Sequence, residues 1–421
     1  MQVQTKIIKP IIEQHAEEAA CLWLQRNNAI HDPHYSLKDL AHLDDRLEAH
    51  IDGLRIAGDA GWEICRAALA FNEPGEIFTA AVLAFEREDG RRVDDVVKVA
   101  TEEAENWCAL VSAIGWLSDE HYQRWVPGMF SSNAEIYRRL AIAGSVIHRQ
   151  NSESALVVAL DDTEPFYQAR ALRAVGELKR SDLLPVLRQK FKSDDMSCQF
   201  WSAWSAVLLG DKAALDVLKT FATSESVFLK PALQIMLRVM DVTHSTKWLS
   251  EFTQSPEVLH YAIFGAGIIG DPLYIPWLIN LMTVPEVARV AGEAFTMITG
   301  VDLAYDDLEG EWPDGFEAGP TENPQDEDVA MDSDEDLPWP EPRLIQDWWE
   351  KNKNSFQVGT RYLVGKPVTA EHCRHVLKAG FQRQRRAAAL ELALLMPDEA
   401  LFNTSAAGFR QQKLLSDLGG D

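Results

Sequence analysis

The sequence predicts an all-α chain built as an α-solenoid, and three observations carry that reading. Two short amphipathic segments of helical pattern alternate from about Gly61 to Gly300. Their stops recur with a period near thirty residues, and no comparable run of alternating strand pattern appears. A pair of helices this short cannot bury its own apolar faces, so each pair must stack on its neighbours.

The second segment of successive units is expected to end at Gly115, Gly176, Gly210, Gly270 and Gly300. The gaps are 61, 34, 60 and 30 residues, so two units lack the glycine but keep the phase. Their stops fall near His148 and at Met240–Asp241. Glycine suits the left-handed end of a helix, after which Asp211 and Asp271 should cap the next one, with Pro272 in its first turn. Four and seven residues before the glycines stand Val111 and Cys108, Leu172 and Ala169, Ala206 and Ala203, Ala266 and Ile263. These form one apolar, mostly small stripe suited to close helix packing. About eight such pairs are expected.

The remaining organisation follows from composition. Residues 1–58 read as an N-terminal helical cap and 59–304 as the repeat array. Residues 305–342 read as an acidic flexible insertion, and 343–421 as a helical region continuing the stack through helices at 369–378, 381–396 and 405–418.

The repeat pattern resembles the short HEAT-like repeats first associated with phycobilin lyases. The edges are similar to a narrower, uncharacterised proteobacterial HEAT-repeat family. The residues that carry this are Leu43 to Leu54 (LDDRLEAHIDGL), Met297 to Asp302 (MITGVD), Leu337-Pro338-Trp339-Pro340, Trp348-Trp349, Gly359 to Gly365 (GTRYLVG) and Gln382 to Ala393 (QRQRRAAALELA). The resemblance covers nearly the whole chain. It implies a bacterial protein often encoded among type VI secretion genes, and it supplies no biochemical activity.

The charge is unevenly placed. The 421 residues hold 40 Lys and Arg against 65 Asp and Glu, a formal charge of −25. It divides as −13 for 1–301, −16 for 302–342 and +4 for 343–421. No lysine or arginine stands between Arg289 and Arg343. An acid excess disfavours binding to a phosphate backbone, which requires cations to release counterions. Low hydrophobicity, Pro and Gly in the 302–342 segment favour disorder. It reads either as a solvated loop or as a segment that docks on a basic surface, with Arg383, Arg385 and Arg386 as a target on the chain itself. Asp332, Asp334 and Asp336 imitate the start of an EF-hand loop, but Leu337 and Arg343 replace the required glycine and glutamate.

Motifs that carry chemistry are sparse. Gly265-Ala266-Gly267-Ile268-Ile269-Gly270 is a literal G-x-G-x-x-G, yet the repeat register places it at the end of a second helix, without a βαβ setting. His31 with His34, and His372 with His375, each offer two metal ligands and lack a third. The five cysteines are spread and odd in number, which reads as buried thiols in a reducing compartment. Neither a secretory signal in Met1 to Pro10 nor a membrane span in 258–285, broken by three prolines, is expected. The chain contains no His-Glu dipeptide of the di-iron HEAT hydroxylases, no P-loop and no G-x-S-x-G.

The expected function is a cytoplasmic, non-enzymatic protein-binding scaffold without catalytic, cofactor or metal residues. The resemblance implies a type VI secretion accessory, either an effector adaptor or chaperone or a toxin-neutralising immunity protein. Its partner would be another protein, with a basic effector or toxin domain fitting the acidic surface; neither nucleic acid nor membrane insertion is expected. Trp201 and Trp204, three apart on one helix, read as packing between repeats or as a peptide-binding stripe. Arg383, Arg385 and Arg386 read as a solvated helix face or an interface. The rival reading is a HEAT-like lyase or other small-molecule enzyme with a concave pocket, around His260 and Tyr261 or around His372 and His375.

Overall fold

The computed structural model describes residues 7–150, 153–253, 258–319, 332 and 334–417. Helices dominate, and the chain is an all-α solenoid of stacked helical pairs. It divides into two compact units, residues 1–209 with 399–421, and residues 210–398.

In the first unit, α1 (Lys9–Ala29) and α2 (Leu37–Ala57) form an antiparallel pair ahead of the repeats. Ser36 and Asp39 make a reciprocal capping box that fixes the start of α2. Five first–second pairs follow: α3 (Asp59–Ala68) with α4 (Pro74–Glu86), α5 (Gly90–Ala100) with α6 (Trp107–Trp116), α7 (Asp119–Phe130) with α8 (Glu135–Ile147), α9 (Glu153–Leu160) with α10 (Pro165–Glu177), and α11 (Leu184–Gln189) with α12 (Met196–Leu208). The second helices α4, α6, α8, α10 and α12 pack in series, each against the next, to make one layer. Apolar faces explain the order: Ala169, Leu172, Ala203 and Ala206 of the anticipated stripe are buried, while on α6 Val111 is half-buried and Cys108 exposed. Gly176 lets α10 approach α12, since a Cβ there would lie 2.7 Å from the Ser205 Cα.

The second unit repeats the plan with α13 (Leu215–Ala222) and α14 (Leu229–Val239), α15 (Val242–Phe252) and α16 (Leu259–Ile269), and α17 (Ile275–Leu281) and α18 (Pro285–Thr299). Gly270 and Gly300 end α16 and α18 with φ of +69° and +74°. The Asp271 side chain then accepts from the Leu273 amide at 3.0 Å, with Pro272 at the first position of the following turn. The glycine-rich run is therefore helix packing: Gly265 lies against Leu249 and Leu237, and Gly267 against Ala294.

Three expectations are corrected. Gly115 and Gly176 lie inside α6 and α10. After α10 the left-handed residue is Lys179 (φ 58°), whereas α8 does end beside His148 as expected, with Arg149 (φ 50°) left-handed after it. The 343–421 stretch does not continue as one stack. Helix α19 (Pro342–Asn352) packs on α17; a hairpin of β1 (Tyr362–Leu363) and β2 (Lys366–Pro367) follows, then α20 (Ala370–Ala379) and α21 (Gln382–Leu395). Residues 399–417 belong to the first unit, where α22 (Gly408–Asp417) packs on α2.

The hairpin segment closes the ends of three second helices. Arg361 donates to the Leu237 and Met240 carbonyls after α14, at 2.8 and 3.0 Å. The Tyr362 amide donates to the Gly270 carbonyl at 2.8 Å, and the Val364 and Gly365 amides to Met297 and Ile298 at 2.8 and 3.1 Å. Carbonyls that a helix terminus leaves without partners are thereby satisfied.

The acidic segment, anticipated to be flexible, is packed at its described flanks. Leu303, Leu308 and Leu337 are buried, and the Gly310 amide donates to the Trp339 carbonyl at 2.8 Å. Residues 320–331 and 333 lie outside the described residues.

Candidate functional site

A groove of about 460 Å³ lies in the first unit on the layer of second helices. Its walls come from the early turns of α6, α8, α10 and α12, with residues 100–104 at the end of α5 closing one side. Trp107, Arg139, Arg170 and Trp201 recur roughly 31 residues apart, so the repeat period aligns them across the layer. Local sequence sets each one. Pro165 opens α10 and leaves Phe166 in its first turn, 68% exposed. Arg170 and Arg173 follow at helical spacing on the same face. On α12 the Asp195 carboxylate caps the Cys198 amide at 2.8 Å, and Trp201 stands one turn further on.

Cations and rings alternate along the groove. The Arg139 guanidinium lies 3.8 Å from the Trp107 ring centre and 5.7 Å from that of Phe166. Arg173 lies 4.5 Å above Trp201. Each stack is worth roughly 0.5–2 kcal/mol, the upper end applying where water is excluded.

The arginines are not equivalent. Arg170 and Arg173 both donate to the Glu177 carboxylate at 2.8 Å. Burial pushes that carboxyl up, and the two guanidiniums more than reverse it, holding Glu177 below the usual range. Among the described residues Arg139 faces the Glu135 carboxylate alone, at 3.8 Å, beyond hydrogen-bond reach. Burial pulls the Arg139 guanidinium down and pushes the Glu135 carboxyl up, as expected for two charges that neutralise each other incompletely. The lining brings aromatic rings, guanidiniums and the carboxyls of Glu103 and Glu135 together, an arrangement that can grip a ligand by stacking and charge.

Of the anticipated residues, Trp201 lines the groove. Trp204 is 6% exposed and supports it from behind, edge to face at 5.3 Å. In the second unit Arg385 overturns the reading of a basic surface: it is fully buried on α21 and donates from Nε to the Leu377 carbonyl at 2.8 Å. Burial pulls its guanidinium down to about 10. Arg383 and Arg386 are half-buried.

The alternative pocket residues are committed elsewhere. His260 Nε2 contacts the Asp334 carboxylate at 3.1 Å, and His372 Nε2 contacts the Leu363 carbonyl at 2.7 Å. Among the described residues, no group of three or more His, Cys, Asp or Glu is placed to hold a metal. Cys65, Cys198 and Cys373 are buried, which pushes their thiols up to about 12, whereas Cys21 and Cys108 are exposed, against the expectation of buried thiols throughout.

A family model described as HEAT repeats matches residues 153–237, the stretch from α9 into α14. No curated protein and no solved structure matches the chain. Repeats of this kind commonly mediate protein interactions, which places the chain with protein-binding scaffolds in general. No described helix is long and apolar enough to cross a membrane.

Proposed function

We propose that the protein is a non-enzymatic scaffold that binds an extended segment of another protein across α6, α8, α10 and α12. The observation that carries this is the alternation of Trp107, Arg139, Phe166, Arg173 and Trp201 along one groove. Aromatic and arginine side chains are the types that dominate binding energy when a partner buries them. A binding surface built from one position per repeat also suits a ligand that extends along the repeats.

The resemblance of the chain's edges supports a finer reading, an accessory of a type VI secretion machine acting as effector adaptor, chaperone or immunity protein. The net charge of −25 favours a partner with a basic domain, steered by complementary charge. Affinity capture of the full chain, with products of neighbouring genes identified in the eluate, tests both levels. Trp201→Ala and Phe166→Ala should lose a stoichiometric partner that Phe71→Ala, exposed and outside the groove, retains. Equal recovery by all three variants would sink the groove reading. A groove-dependent partner from an unrelated gene would sink the secretion reading alone.

A further inference from the structure

We infer that the groove recognises a partner segment by an aspartate or glutamate side chain, which docks on Arg139 beside an apolar or aromatic residue. This rests on the groove being a peptide site and adds the chemistry that it selects.

The argument begins with what Arg139 lacks. Arg170 and Arg173 spend their charge on Glu177. Arg139 donates no hydrogen bond among the described residues, and its single facing carboxylate stands at 3.8 Å. Its side chain is 17% exposed, and its Nε is buried without a hydrogen-bond partner. Burying a charge without a hydrogen-bonding partner is costly, and such a group is held in place only by compensating contacts. Here those contacts are the rings of Trp107 and Phe166.

Stacking covers the faces of a guanidinium and leaves its donors, which lie in the plane, unspent. A carboxylate matches that fork with two parallel hydrogen bonds. The stack has also fixed the side chain beforehand, so less rotamer freedom is lost when a ligand arrives. Glu135 is a weak competitor, because its carboxylate stands 3.8 Å away, beyond hydrogen-bond reach.

The groove also argues for an internal acidic residue. Arg139 is on α8, with Trp107 of α6 to one side and Phe166 and Trp201 of α10 and α12 to the other. A chain lying across these helices continues past Arg139 in both directions, and its flanking residues meet aromatic rings. The global charge is acidic while this position holds a cation whose facing carboxylate lies beyond hydrogen-bond reach. An acidic segment is therefore selected locally and not by the field of the whole chain.

The test selects binders to the full chain from a display library of random dodecapeptides, then synthesises the winners with Glu or Asp changed to Gln or Asn. Selected sequences should share an acidic residue next to an aromatic or aliphatic one. The amide version should bind about 10- to 100-fold more weakly, the range for a charge-assisted hydrogen bond. Arg139→Gln should weaken the acidic peptide to the same level and leave the amide version unchanged. The peptide substitution needs no protein variant, so a folding defect in Arg139→Gln does not decide the outcome. Binders lost on Trp201→Ala that carry no acid, or that ignore Arg139→Gln, overturn the carboxylate inference and leave the groove standing. Selection yielding no groove-dependent binder overturns both.

Discussion

Arg289 and Asp332 form an ion pair at 2.7 Å, with both side chains almost wholly buried. Through it α18 holds the far flank of the acidic segment. The Arg289 guanidinium also donates to the Asp334 carbonyl at 2.9 Å and lies 4.9 and 5.5 Å from the Trp312 and Trp339 rings. One cation thus gathers both flanks of the segment, since Trp312 precedes its undescribed middle and Trp339 follows it.

Removing that cation leaves a buried carboxylate unpaired. Arg289→Ala should cost about 3–5 kcal/mol, the range for breaking a buried pair from one side. The readouts are chemical denaturation, tryptophan emission shifted to longer wavelength as Trp312 and Trp339 meet water, and faster proteolysis within 302–342. Because the pair is dry, its contribution should change little between low and high salt. Unchanged proteolysis in the variant would show that the flanks are held by their apolar residues alone.

A second buried pair fastens the C-terminal stretch of the first unit. Arg26 of α1 and Asp44 of α2 meet at 2.7 Å. Arg26 also donates to the Ser405 and Ala406 carbonyls at 3.0 and 2.9 Å, and Asp44 accepts from the Gly408 amide at 2.6 Å. Asp44→Ala leaves the buried guanidinium without its counter-charge and that amide without an acceptor, and a loss of about 3–5 kcal/mol is expected. Cleavage between 396 and 408 should accelerate. The double variant Arg26→Leu with Asp44→Leu should recover part of the loss, because no unpaired charge then remains buried. A double variant as unstable as the two single changes combined would show that the pair itself is not what couples the tail to α1 and α2.

The repeat phase was legible in the sequence where glycine marks it. Gly270 and Gly300 adopt the left-handed conformation that the spacing requires. It was misread at Gly115 and Gly176, each the next-to-last residue of its helix: α6 ends without a left-handed residue, and after α10 that conformation falls to Lys179, a charged residue that leaves no compositional trace. Arg385 misled for a related reason. Charge reads as surface, whereas the Leu377 carbonyl offers this side chain a partner inside. The groove was half visible. Trp201 drew notice as an aromatic, but Trp107, Arg139 and Arg170 signal only through recurrence at the repeat period. That recurrence has meaning once the early turns of successive second helices are known to share a face. The closure of α14, α16 and α18 by residues 361–365 had no local signal, because the partners are backbone carbonyls far away in sequence.

The closure predicts a difference between two glycines of the same type. Gly210 (φ +89°) and Gly270 (φ +69°) both pay the left-handed penalty when a side chain is added, about 1–2 kcal/mol. A Cβ on Gly210 meets nothing within 4 Å, whereas on Gly270 it would stand 2.2 Å from the Tyr362 carbonyl oxygen. Gly270→Ala should therefore cost a further 1–3 kcal/mol or so, from the forced displacement of the hairpin. Thermal or chemical denaturation of the two variants side by side measures this. Equal losses would mean that the hairpin shifts freely and does not clamp α16.

The same hairpin gives the second unit a dependence on pH. His372, 8% exposed, engages the Leu363 carbonyl through Nε2 at 2.7 Å, so the neutral ring with its proton on Nε2 fits the site. Burial holds its pKa below the ordinary 6.5, and the nearby Lys366 and His375 push the same way. A base whose folded pKa is lowered binds fewer protons folded than unfolded, so stability rises with pH across that window. The contribution is complete above about pH 6.5 and declines as pH falls from there toward the folded value, by at most about 1.4 kcal/mol per unit. His372→Gln keeps a donor for Leu363 and removes the titration. Denaturation midpoints measured at pH 7.5 and pH 5.5 should therefore lie closer together in the variant than in the native chain. An equal separation in both would place the acid sensitivity at other groups and leave His372 a purely structural donor.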